Sequence, residues 1–341
     1  MIIMAMKMDD IARIANVSRS AVSLALNGKD GVSEETRAKI FKVIDEYNYK
    51  PLRKNKKSGH QELANVNLLA IKSSGLISNN YRSLPFFDSL ISSLSERISS
   101  SGGTLQINTI DAATLKQSLK DLPISSGSTG TIVLATDLTE SQVRLIQSEL
   151  DNVVFIDTYY HNIKADFVTM DNYQGAFDAG MFMLEKGYKK IGYVASDKLV
   201  SNFKMRRQGF KDALETQNLE ISNQNFYTVS PTELNPRGLN IHQIIDQNAP
   251  EAIFCEDDYI ATRLIKGCLN AGINIPTDLG IMGFDDIYEG TLLTPELTTV
   301  HVPIQQITNQ TIRQLQGQVF EKEWAHQKTL ISTSVIIRGS L

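Results

Sequence analysis

Residues 7–49 read KMDDIARIANVSRSAVSLALNGKDGVSEETRAKIFKVIDEYNY, and the spacing of apolar residues within them defines the first domain. Ile11, Ala12 and Ala15 recur at the separations of one helix face. Asn16-Val17 ends that helix, because asparagine tolerates the left-handed backbone of a tight turn. Ser18 follows where a second helix needs an oxygen to accept its free N–H groups. Val22 and Leu26, four apart, face back onto the first helix, and the small Ala12 and Ala15 let the two helices cross closely. Ser33 repeats the cap signal ahead of a third helix, with Glu34 and Glu35 complementing its dipole. This is a helix-turn-helix, whose second helix fits the major groove of DNA.

Charge works in the same direction. Residues 1–60 hold 12 Lys+Arg against 7 Asp+Glu, whereas the remainder holds 22 against 31. A basic head on an acidic body suits a protein whose head alone meets phosphates. Lys50, Arg53, Lys54, Lys56 and Lys57 crowd five positive charges into eight residues. Residues 51–64 lack periodicity and are read as a basic linker between a head, 1–50, and a body, 65–341. The two cysteines, Cys255 and Cys268, form no metal or redox motif, which predicts a reduced, cytoplasmic protein associated with the nucleoid. No apolar run is long enough to cross a membrane. MIIMAM is too short for a signal-peptide core.

From Val66 the pattern changes to strands alternating with helices. Strands are expected at 66–73, 104–110, 130–135 and 152–157, with helices at 84–100, 112–120 and 139–149. A second set has helices at 173–187, 202–217, 236–247 and 258–272, and strands at 190–196, 225–230, 251–256 and 279–286. A helix at 304–320 and a strand at 328–337 close the chain. Near-continuous apolar strands between helices indicate parallel sheets buried on both faces. The fold class is therefore an α/β body of two doubly wound parallel-sheet lobes behind a three-helix head.

These motifs resemble a known family. DIAxxAxVSxxxVSxxLNG, VSxxTRxxI and EYNYxP are similar to the head of the lactose-repressor/galactose-repressor (LacI/GalR) family of bacterial transcription regulators. The resemblance continues through VTMDNYQGAFDAGMFMLEKGYKKIGYV, RRQGF, GFDD and TPELTTV, so it spans nearly the whole chain. It implies a body like a periplasmic sugar-binding protein, with the chain crossing between lobes near 165, 291 and 325. Lobe 1 would then hold 65–165 and 292–325, and lobe 2 would hold 166–291 and 326–341.

Arg19 and Ser20 open the recognition helix, where side chains meet base edges. Arg19 can donate two bonds to guanine, and Ala21 can touch a thymine methyl. The resemblance gives the Arg19-Ser20 pair the role of setting operator preference. It adds Ser18, Ser23 and Asn27 as contacts, and Thr36 and Arg37 as anchors on the DNA backbone. One departure stands out. Most members carry a leucine seven residues after the proline, in a hinge helix that wedges into the minor groove; here Ser58 occupies that place. The linker, through Lys54, Lys56 and Lys57, is read as mainly electrostatic.

In the body, ligand contacts are expected just after strands, around a cleft. Asp157, Asp257 and Asp285 follow strands, and Arg206 lies in RRQGF. Carboxylates accept from sugar hydroxyls and Arg donates to them. Asp157, Arg206 and Asp285 coincide with effector positions of the family. Ser73, Phe87 and Tyr159 are added as cleft residues, with Asp258 read as a helix cap. Glu233, where many members place a stacking aromatic, favours a polar effector. SSGSTGT at 125–131 lacks the Gly-Lys-Ser/Thr of a phosphate loop, and no metal cluster or catalytic grouping is discernible. An enzyme, a cofactor and a membrane partner are not expected.

The sequence is therefore read as a repressor of a carbohydrate-utilisation operon, a homodimer on operator DNA, released by a sugar between the lobes. The absence of an apolar heptad tail before Leu341 disfavours a coiled-coil tetramer. A corepressed regulator, answering to a purine, sugar phosphate or protein, is the alternative; a sugar-transport protein fits the body but not the head. Replacing Lys54, Lys56 and Lys57 together by Gln should flatten the salt dependence of DNA affinity by up to about 2.7 in log–log slope, measured by titration at several salt concentrations.

Overall fold

The computed structural model describes residues 8–26, 31–47, 63–78, 80–122, 129–231, 241–244 and 249–341. Asn27, Lys54, Lys56, Lys57 and Glu233 lie outside the described residues, as does most of the helix expected at 236–247. The chain divides into two compact units, Met1–His60 and Gln61–Leu341.

The head has α1 at Met8–Ile14, α2 at Arg19–Leu26 and α3 at Glu34–Glu46. Its core is small: Ile11, Ala12, Val22, Ala25 and Ile40 are buried. Asn16 adopts a φ of 54°, the left-handed turn the sequence predicts. Ser18 Oγ accepts from the Ala21 N–H at 3.1 Å, and Ser33 Oγ from the Thr36 N–H at 3.3 Å. Leu26 is half-buried against this core, while its neighbour Ala25 is sealed within it.

The body begins with β1 (Asn65–Lys72), α4 (Pro85–Ser100), β2 (Thr104–Asp111), α5 (Leu115–Lys120), β3 (Gly130–Leu134), α6 (Glu140–Glu149), β4 (Val153–Ile156) and β5 (Asp166–Met170). There follow α7 (Asn172–Glu185), β6 (Ile191–Ser196), α8 (Ser201–Glu215), β7 (Phe226–Val229), α9 (Ile241–Ile244), β8 (Ala252–Cys255), α10 (Asp258–Asn270) and β9 (Gly280–Met282). The chain closes with β10 (Thr299–His301), α11 (Ile304–Phe320), β11 (Lys328–Ile331) and β12 (Ser334–Ile336). The first sheet runs β2-β1-β3-β4-β5-β11, all parallel. The second runs β7-β6-β8-β9, also parallel, and single bridges join its end to the antiparallel pair β10-β12.

Two readings of the sequence are corrected here. Residues 166–170 form a strand of the first sheet, and the expected strand at 328–337 is two strands in different sheets. The crossings therefore fall at Asp171, around Val302-Pro303 and at Ser332-Thr333, not near 165, 291 and 325. The reason is lateral pairing. β11 adds to β5 through Lys328↔Phe167 and Ile331↔Met170, contacts between segments far apart in sequence. Asp166, fully buried, secures this edge by accepting from Gln318, Trp324, His326 and the Gln327 N–H.

Gly209 of RRQGF faces the backbone of Tyr173 at the start of α7, and an added Cβ would run into the Tyr173 carbonyl. Replacing Gly209 by Ala must therefore push α7 and α8 apart. We expect a loss of about 1–3 kcal/mol of stability, read as a lower thermal midpoint of the body.

Candidate functional site

Two surfaces bring the predicted residues together, one in each unit. On the head, Arg19 and Ser20 stand exposed at the start of α2. The Arg19 Nε lies 3.3 Å from Asp9 Oδ1 on α1. Ser20 Oγ lies 2.8 Å from Ser18 Oγ, the same oxygen that caps α2. Ala21, Ser23 and Thr36 are half-buried. Thr36 Oγ1 sits 2.8 Å from Ser33 Oγ. Arg37 donates from Nη1 to the Ala25 carbonyl at 3.2 Å, so it ties α3 to the end of α2.

In the body, the ends of β4, β8 and β9 converge with α8 on a small cavity. Arg206 is the centre of it, 3 % exposed. Its Nε donates to Asn172 Oδ1 at 2.8 Å, its Nη1 to the Glu256 carbonyl at 2.6 Å and its Nη2 to Asp285 Oδ1 at 3.0 Å. The guanidinium lies 3.7 Å from the centroid of the Phe284 ring. A buried cation demands such complete pairing, since desolvation costs several kcal/mol when it is left unpaired. Glu256 itself turns away, accepting from Arg207, Tyr193 and the Ser196 N–H.

Asp157 faces Arg206 from the other lobe. Its φ of 59° bends the chain sharply after β4. Thr136 donates to its Oδ2 at 2.5 Å, and Asn202 of α8 reaches across the cleft to its Oδ1 at 2.8 Å. A second bridge runs from Tyr259 Oη, which accepts the Phe86 N–H at 2.9 Å. The cavity between has a volume of about 30 Å³, with Phe86, Phe87 and Asp257 also on its walls. That is room for a water or two, far below the several hundred Å³ of a ligand pocket. The lobes are closed on one another.

Burial dominates the acids. It raises Asp157 and Asp257 to about 7, with Thr136 opposing it at Asp157 and the charge of Asp285 adding to it at Asp257. Asp258 rises to about 8 and Asp285, restrained by Arg206, to about 6.

The predicted effector residues divide. Asp157, Arg206, Asp257, Asp285 and Phe87 meet at the cavity. Ser73 does not: it donates to Asp137 Oδ2 at 2.6 Å in the turn after β1, beside an open recess of about 760 Å³ at the mouth of the cleft. Tyr159 does not either: it packs edge-on against Phe167 on the far side of the sheet, under Lys328. The cap of α10 is Asp257, whose Oδ1 accepts the Ile260 N–H at 2.7 Å. Asp258 instead clamps the loop after β9, accepting from Thr299 and the Ile287 N–H. Sequence reasoning missed Asn202, Tyr259, Asn172 and Thr136. Asn202 was within reach, since it lies four residues before Arg206 and shares its helix face. Among the described residues no helix is long and apolar enough to cross a membrane, and no group of His, Cys, Asp and Glu could hold a metal.

A helix-turn-helix head followed by a two-lobed body closing on a polar cavity defines a DNA-binding regulator with an effector cleft. Comparison with known proteins agrees. The pattern of bacterial regulatory proteins of the lacI family matches residues 7–52, and that of periplasmic binding protein-like domains matches 181–341. The chain is 27% identical over 338 residues to the ribose operon repressor of Haemophilus influenzae, covering 98% of each. It is 25% identical over 335 residues to the transcriptional repressor PurR of Mannheimia succiniciproducens, covering 97% of each. Among solved structures, the regulator CelR in complex with cellobiose aligns with a TM-score of 0.68 at 18% identity, over 98% of this chain and 99% of that one. The lac repressor dimer bound to operator and the anti-inducer ONPF aligns with a TM-score of 0.67 at 16% identity, over 99% of each chain. The chain thus combines a lacI-family helix-turn-helix domain with a periplasmic-binding-protein-like domain, and the relatives it resembles over nearly its whole length are DNA-binding transcriptional repressors.

The raised carboxyls predict an inverted pH dependence of stability. An unfolded aspartate titrates near 3.9, so between about pH 4 and pH 8 the folded body holds protons that the unfolded chain releases. The stabilisation is complete below about pH 4 for these groups and is lost as pH rises through 6–8. The thermal midpoint should therefore fall between about pH 5 and pH 8, and Asp157→Asn should flatten the slope.

Proposed function

We propose that this regulator represses carbohydrate-utilisation genes and is released when a sugar binds between the lobes of the body. The observation that carries the reading is the Arg206 guanidinium, held over the Phe284 ring and facing carboxylates from both lobes. A polyol offers what this array needs. Each hydroxyl donates to one carboxylate while accepting from Arg206 or Asn202. Three acids on the cavity wall, Asp157, Asp257 and Asp285, favour a ligand rich in donors over a purine. Since a cavity of about 30 Å³ is too small for a sugar, binding requires the lobes to part and reclose on the ligand. The ligand then takes the place of the direct Asn202–Asp157 bond. Differential affinity for the two degrees of closure couples the cleft to DNA.

On the DNA side, Arg19 and Ser20 read base edges, and the basic linker residues Lys54, Lys56 and Lys57 meet phosphates. The protein acts in the cytoplasm, without enzymatic activity, as a homodimer on a near-palindromic operator, where two heads occupy successive half-sites.

A thermal-shift panel of monosaccharides, disaccharides, sugar phosphates and purines tests the reading. One free sugar should raise the midpoint, by mass action on the native state, and should weaken the protein–DNA complex. Arg206→Ala and Asp285→Ala should abolish that shift. A response confined to a purine or sugar phosphate, with tighter DNA binding, would replace release by corepression.

A further inference from the structure

Arg19 opens α2, and Asp9 sits in the first turn of α1. The turn at Asn16 brings them together, with Asp9 Oδ1 3.3 Å from Arg19 Nε. Both side chains are more than three-fifths exposed, so no packing forces the contact. The neighbouring acid behaves differently: Asp10 pairs with Arg13 one turn along its own helix, at 3.3 Å. Complementing the helix dipole accounts for an acid at either position. It does not account for one of them reaching across to the recognition helix.

The atom contacted is what matters. A guanidinium carries its donors as a rigid planar fork. Nε is the guanidinium nitrogen paired with Asp9, 3.3 Å away as an ion pair, and the two terminal nitrogens form the outer end of the fork. That end matches the O6 and N7 acceptors of guanine in the major groove. Ser20, the next residue, is also held, through Ser18 Oγ at 2.8 Å. Resting on the reading that Arg19 contacts bases, we propose that Asp9 is a positioning residue for base recognition. It holds Arg19 end-on, so that a guanine is selected at one position of each half-site.

Asp9 has two opposed effects on DNA. Its charge repels phosphates, which weakens binding to any sequence. Its hold on Arg19 sharpens the choice of base. Removing it separates the two effects, since a merely structural or repulsive acid would not lower discrimination while raising general affinity.

The test uses the full chain and its Asp9→Asn, Asp9→Glu and Arg19→Ala variants. A randomised duplex pool first selects the preferred half-site for the unaltered chain. Affinities are then measured, at one salt concentration, for the selected duplex, for versions with its guanine positions replaced, and for unselected duplex. Circular dichroism melts check that each variant stays folded. Arg19→Ala should lose the guanine preference at one position. Asp9→Asn should lower that preference about three- to fivefold, the scale of one exposed ion pair, while binding unselected duplex more tightly. Asp9→Glu should recover part of the preference. If Asp9→Asn keeps or sharpens the preference that Arg19→Ala loses, Arg19 reads the base without Asp9 and the proposal fails. If Arg19→Ala keeps every preference, the base-reading role of Arg19 fails and the proposal with it.

Discussion

The body is organised by one constraint: a guanidinium taken out of water must have its charge and its donors answered. Arg206 is answered by Asn172 at the start of α7, by the Glu256 carbonyl at the end of β8 and by Asp285 after β9. Three segments distant in sequence are thereby held to one point. Phe284 closes the face of the cation, so the site is oriented before any ligand enters. The positive φ values at Asp157 and Asp285, 59° and 118°, carry the backbone away and leave both carboxyls in the cleft. Such strained positions are held by their surroundings, here Thr136 and Asn202 on one side and Arg206 on the other.

Closure has its own economy of bonds. The lobes meet through Asn202 on Asp157 and through Tyr259 on the Phe86 N–H. Each bond satisfies a buried polar group on the wall of a cavity with room for only a water or two. The acids around it are pushed toward neutrality by burial, so the closed cleft is a proton-holding state. A hydroxylated ligand can relieve the same burial by donating to the ionised carboxylates.

The head shows the opposite balance. Among its described residues five form the buried core, and its fold rests on local devices: the Asn16 turn, the Ser18 and Ser33 caps, and Arg37 on the Ala25 carbonyl. Nearly all of these were legible, because caps and turns act over three or four residues. Arg37 is the exception, since its partner lies on another helix. The strand and helix spans of the body were legible for a related reason. Long apolar runs such as VNLLAIK bury both faces and need no knowledge of their neighbours.

What the sequence determined alone is therefore whatever is set within a few residues or carried by a long motif: the helix-turn-helix, the order of strands and helices, the charge division between head and body, and Asp157, Arg206 and Asp285 as cleft residues. Tertiary structure decided the rest. DFVTM became a strand only because β4 and β11 flank it, which moved the crossings between lobes. Ser73 and Tyr159 lie off the small cavity because Asp137 and Phe167 hold them elsewhere. Asn202 and Tyr259 line that cavity because their partners lie across the cleft. Periodicity reports which side of an element is buried, and only the packed chain reports what it is buried against.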